Sequence, residues 1–273
     1  MKKLFTTMIL AIGFVAAAVA QKEVKYVKMY YKDLKMETND IVIIVDNAVS
    51  TEGETKFKLK IENKTNDYLI LKPEECKFII NGKEQKPKEK WLVISPNESD
   101  FRIVNLKGAG YNAVKNYQFV LDGLYRVDAN TKGIATPDFK LPASQNEFKT
   151  GPFTNTLGKV SKETDKTEVK INVTYTGDKI GFVFPSKVSV KMPDGNTYAN
   201  AKSKSDAIMM VKGDSDSYKL KWERMEGGKM MDMQKVDMMI QWNDAFAEVS
   251  PVKMKAETIQ MEFDEVTSNE KGK

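Results

Sequence analysis

Residues 54–65, Glu-Thr-Lys-Phe-Lys-Leu-Lys-Ile-Glu-Asn-Lys-Thr, alternate polar and apolar side chains. Phe57, Leu59 and Ile61 fall on one side, and Lys56, Lys58, Lys60 and Glu62 on the other. A period of two is the pleat of a half-buried β-strand. The same pattern returns at residues 166–177, where Val169, Ile171, Val173 and Tyr175 oppose Glu168, Lys170, Asn172 and Thr174. A proline follows each copy at equal distance: Phe57 to Pro73 and Val169 to Pro185 both span 16 positions.

The echo extends along the chain. Cys76 to Ile80 and Val188 to Met192 are short apolar runs, closed by Asn81-Gly82 and Asp194-Gly195. Asn-Gly between apolar runs is a strong hairpin signal, because both central residues of a type I′ turn need positive φ. Trp91 to Phe101 corresponds to Ile208 to Tyr218, and Leu121 to Tyr125 to Trp242 to Phe246. Phe139 to Leu141 has its counterpart in Val252 to Met254 or in Thr258 to Phe263. About seven short strands per copy, with turn signals every eight to twelve residues, predict an all-β fold of two tandem Greek-key β-sandwiches. The division places one domain at residues 21–145 and the other at 146–273.

The N-terminus reads as a signal peptide over residues 1–20: basic Met1-Lys2-Lys3, an uncharged apolar run from Leu4, and the small-residue site Ala18-Val19-Ala20. No later stretch approaches the ~20 apolar residues of a membrane helix. These features predict an exported chain, periplasmic or secreted, with no stable membrane insertion once the leader is cleaved. The net charge of +5 is close to balance, with lysines and acids interspersed, so a solvated surface is expected and no nucleic-acid partner. Cys76 is the only cysteine and lies in a strand-like run, which predicts a small buried hydrophobe and no internal disulfide. The chain contains no His, which removes the commonest general base, the commonest zinc ligand and every Ser-His or Cys-His arrangement.

The order of strand, Asn-Lys-Thr turn, apolar run with Pro, strand, Asn-Gly or Asp-Gly, then a Ser/Asp-rich turn before Phe or Tyr resembles immunoglobulin-like domains of unknown function in exported bacterial proteins. The resemblance covers both halves and implies immunoglobulin-like sandwiches with no shared catalytic residues. The Cys and Trp pair of antibody-type domains is absent.

Candidate sites are few. Met230, Met231, Met233, Met238 and Met239 fall within ten positions. Thioether sulfur suits Cu(I), and that chemistry needs no His; Met is equally the adaptable filler of apolar gaps and of flexible contact surfaces. Asp214-Ser-Asp216 and Asp194-Gly-Asn196 could offer oxygens to Ca²⁺, but the same residues are what hairpin turns require. Trp91, Trp222 and Trp242 could form a glycan-stacking face, although each falls inside a strand pattern where packing explains it. Ser203-Lys204 places a hydroxyl beside an amine, in a loop-like run. The sequence therefore predicts a non-enzymatic binding or scaffold protein without cofactor, contacting another envelope or surface protein, with exposed strand edges available for β-augmentation. Soft-metal binding through the methionines, and glycan binding, are the alternatives.

Overall fold

The structure, a computed structural model, describes residues 25–202, 207–224 and 232–273. The signal peptide read over residues 1–20, the Ser203-Lys204 pair, Met230 and Met231 lie outside the described residues. Among the described residues the sheets are all antiparallel, joined by short turns and followed by a C-terminal helix.

The first half runs β1 (Met29–Tyr30), β2 (Leu34–Glu37), β3 (Ile41–Ser50), β4 (Glu54–Asn63), β5 (Tyr68–Leu71), β6 (Lys77–Ile80), β7 (Lys83–Gln85), β8 (Leu92–Ile94), β9 (Ser99–Lys107), β10 (Asn116–Leu121) and β11 (Leu124–Val127). β12 (Phe139–Leu141) follows a long connection. The second half runs β13 (Glu147–Thr150), β14 (Phe153–Lys162), β15 (Lys166–Tyr175), β16 (Ile180–Val183), β17 (Ser189–Lys191), β18 (Thr197–Ala199), β19 (Ile208–Met210), β20 (Ser215–Glu223), β21 (Met238–Gln241) and β22 (Phe246–Val249). The chain ends in β23 (Val252–Lys253), β24 (Glu257–Glu262) and α1 (Glu265–Lys271).

The two alternating stretches are β4 and β15, each the spine of an outer sheet. Phe57, Leu59 and Ile61 are buried in the first core, and Val169, Ile171, Val173 and Tyr175 in the second. Full burial of such a side chain contributes roughly 1.5–3 kcal/mol, which fixes the register, because a one-residue slip would turn the lysines inward. The outer sheets are β1-β3-β4-β9, with β2 also on β3, and β13-β14-β15-β20.

Against each outer sheet lies an inner layer: β24-β10-β6-β7 and β23-β11-β5-β8 in the first half, β12-β21-β17-β18 and β19-β16-β22 in the second. The inner layers also pack on one another. Leu69 and Leu71 of β5 enter the first core, while Ile70 between them meets Phe182, Phe184, Ala247 and Val249 of the second half. The result is four stacked β-layers with three apolar interfaces. Tyr68 to Leu71 and Ile180 to Val183 read as unbroken apolar runs because they are covered on both faces.

Ten strands of the second half, β13 to β22, repeat β2 to β11 of the first in order, and β1 has no counterpart among the described residues. Ile43 pairs with Ile61 as Asn155 pairs with Val173, and both ladders carry a bulge further on, after Asp46 and after Leu157. Pro73 opens a 3-10 turn between β5 and β6, and Pro185 the equivalent turn between β16 and β17, where the missing N–H costs nothing. Asn81 and Gly82 both have positive φ, and Ile80 pairs with Lys83, which is the expected two-residue hairpin. Cys76 is buried in the first core, and burial pushes its thiol up to about 11.

A division at residue 145 does not separate the hydrogen-bonded sheets. β12 pairs with β21 in the second half, while β23 and β24 return to pair with β11 and β10 in the first. The two crossing segments occupy equivalent places. Ile259 pairs with Phe119 as Phe139 pairs with Ile240, and Met261 pairs with Tyr117 as Leu141 pairs with Met238. Met254 packs on the first core as Ile134 packs on the second. Of the two counterparts considered for Phe139 to Leu141, the register selects the one around Thr258 to Phe263. α1 then closes the chain end: Asp264 caps it by accepting from the Thr267 N–H, and the N–H groups of Val27 and Lys28 donate to the Gly272 carbonyl at 2.7 and 3.0 Å.

Candidate functional site

The feature that sets one half apart from the other lies on the outer face of β2, β3, β4 and β9. Residues paired across a ladder share a face. Lys35 pairs with Ile44, Ile44 with Lys60, and Lys60 with Phe101, so these four form one row across the sheet. Asp46, Lys58 and Ile103 form the next row. Phe101 and Ile103 are 48% and 53% exposed. The Lys58 ammonium lies 4.9 Å from the centroid of the Phe101 ring and 3.7 Å from an Asp46 carboxylate oxygen. Lys35 and Lys60 form no ion pair among the described residues.

The second half supplies an internal control. The row equivalent to Lys35-Ile44-Lys60-Phe101 is Glu147-Thr156-Asn172-Ser217, and the residue equivalent to Ile103 is Lys219. One outer face is therefore polar throughout, as a solvated sheet should be. The other carries two exposed large apolar side chains, Phe101 and Ile103, among lysines.

Side chains cap part of the free edge of each outer sheet, along β9 and β20. The Asp100 carboxylate accepts the Phe101 N–H at 2.7 Å, and Glu89 accepts the Asn105 N–H at 2.8 Å. Equivalent positions of β20 are capped alike: Asp216 accepts the Ser217 N–H at 2.6 Å, and the Asn200 side chain accepts the Lys221 N–H at 3.0 Å. Capping backbone donors with side-chain acceptors weakens the template that an edge strand offers. The sequence marks Phe101 to Val104 as a strand but does not show which of its residues face solvent. The repeat carries the signal, but the sequence correspondence that lays Phe101 over Tyr218 is one residue out: the ladder register makes Ser217 the equivalent of Phe101 and Lys219 that of Ile103.

The other candidates are placed as follows among the described residues. Met233 and Met238 are buried in the second core together with Met192 and Met210, and the Thr167 hydroxyl points its proton at the Met238 sulfur, 3.8 Å away. Met239 lies on the opposite face of β21, paired with Lys140 and Lys191. Met230 and Met231 lie outside the described residues. Trp222 and Trp242 are buried in the second core, so the three tryptophans do not form one exposed face. Trp91 is half-buried, and the Lys72 ammonium sits between its ring and that of Tyr125, 4.4 Å from each. The Asp194 carboxylate accepts from the Asn196 N–H, and that of Asp214 from the Val211 N–H, which are turn roles. Among the described residues no three His, Cys, Asp or Glu side chains gather as a metal site. No helix among them is long and apolar enough to cross a membrane.

No protein-family model matches the chain, and no curated protein matches it. Among solved structures the chain is similar to red sea bream transglutaminase at 8% identity and a TM-score of 0.19. That alignment covers 85% of this chain and 31% of the transglutaminase, and a likeness at this level carries no argument about activity.

Proposed function

We propose that this chain is an exported, non-enzymatic binding protein of two tandem immunoglobulin-like domains that docks another envelope or surface protein through the outer face of its first half. One observation carries the reading: Phe101 and Ile103 are exposed where the equivalent residues of the repeat are Ser217 and Lys219. Exposed large apolar side chains cost solubility, so a pair placed on an otherwise lysine-bearing sheet marks a contact surface. Lys35, Lys58 and Lys60 around them suit a partner that presents an apolar centre flanked by carboxylates. The partly capped edge of β9 favours a face-on contact over β-augmentation. Export is supported by the leader-like N-terminus.

The test gives the first half the residues of the second. Full-length protein and the double variant Phe101→Ser, Ile103→Lys are used to capture cross-linked partners from native envelope fractions at low and high salt. A partner held by the wild type, lost with the variant and weakened by salt supports the reading. An identical captured set for both proteins overturns it.

A further inference from the structure

The segment from Val252 to the end of the chain is covalently attached to the second half but structurally part of the first. Its attachment is the two-residue link Ser250-Pro251 between β22 and β23. Beyond that link, all six residues of β24 pair with β10, Ile259 and Met261 are buried in the first core, and Val252 and Lys253 pair with β11. Lys253 adds ion pairs to Glu75 and Asp122 at 3.5 and 3.1 Å. α1 adds a hydrogen bond from the Tyr30 N–H to the Ser268 hydroxyl at 2.8 Å. The equivalent slot of the second half is filled by β12, which arrives through the long connection of residues 128–138. So the fold contains two like slots, one fed by an eleven-residue connection and one by a two-residue link.

We propose that residues 252–273 are a strand donor that two copies of this chain exchange, each completing the other's first half. Exchange preserves every contact just named, because the acceptor surface is identical in both copies; only the link changes course. A short link favours exchange, since it has few residues with which to relieve any strain of closing within one chain, and Pro251 restricts its φ further. Intramolecular closure competes through its effective concentration, which falls to nothing when a link cannot span its two ends. The balance between the closed monomer and the exchanged dimer is thus set by link length.

The experiment mixes isotope-labelled and unlabelled full-length protein, anneals the mixture just below its unfolding midpoint at high concentration, and reads mixed dimers by native mass spectrometry. Deleting Ser250 is expected to raise the mixed-dimer fraction at least about tenfold, and inserting a four-residue Gly-Ser linker after it to lower the fraction by a similar factor. A second arm places a specific protease site in the link. Cutting it dissolves an exchanged dimer into monomers that each retain a bound segment. Absence of mixed dimers from folded protein at every link length overturns the proposal, and so does a dimer that survives the cut.

Discussion

Ile259 lies directly across the ladder from Phe119, joining the last strand of the chain to the first half's inner sheet. Both side chains are buried without measurable exposure. Ile259→Ala removes three carbons from a filled site, and such changes cost about 2–5 kcal/mol. Urea unfolding of the full chain should show that loss although the residue lies near the C-terminus. A change under 1 kcal/mol would mean that β24 is not part of the first core.

Asn155 carries the opposite prediction. It is fully buried, and neither its amide nitrogen nor its oxygen has a hydrogen-bond partner. Ile43 stands at the equivalent place in the first half. A buried polar group without a partner costs about 1–3 kcal/mol, so Asn155→Val should raise the unfolding midpoint. The reciprocal Ile43→Asn should lower it by more than Asn155→Val raises it, because a cavity term adds to desolvation. Differential scanning calorimetry on both variants checks the pair of signs.

Alkaline pH should loosen the first core. The Tyr31 hydroxyl lies 2.9 Å from that of Ser50 and donates to the Val114 carbonyl at 2.7 Å; Ser50 donates to Thr55, which donates to Tyr117. Burial pushes the Tyr31 phenol up to about 12 and raises Tyr117 as well. The unfolded chain releases these protons near pH 10, so the stability is fully present below pH 10 and is lost as pH rises from about 10 towards 12. Tyr31 alone accounts for a loss on the order of 2–3 kcal/mol. Urea midpoints from pH 8 to 12 should fall, and fall less steeply for Tyr31→Phe. Parallel slopes for the two proteins would exclude Tyr31 as a source.

Phe101→Ser and Ile103→Lys should be nearly silent in stability. Both side chains are about half exposed, and surface replacements of this kind stay within about 0.5 kcal/mol each. Equal thermal midpoints, read by circular dichroism, let any loss of partner capture be assigned to the surface.

What the sequence made legible follows from where the solvent is. β4 and β15 have one face in water and one in a core, so they alternate cleanly and announce themselves. β14 is as long as they are and also central in its sheet, yet its sequence does not alternate. Its inward row includes Asn155, and Gly158 stands at its bulge, which together erase the alternation. β12 was visible as a strand, but its pairing with β21 was not, since nothing local records which half a segment joins. α1 did carry a signal, the Asp264 and Thr267 of a capped helix start, though seven residues are too few to show periodicity. The Phe101 and Ile103 face was hidden for a related reason: an apolar residue in a strand reads as core until its pairing partner is known to be a lysine.

The return of β24 to β10 also sets an order of events. Chains are made from the N-terminus, so β1 to β11 exist long before their last neighbour does. The second half, whose β12 precedes it, has all its strands available sooner. In a growing or threading chain, the half that begins first is the half that finishes last, and its inner sheet presents a vacant lane along β10 until the final residues arrive.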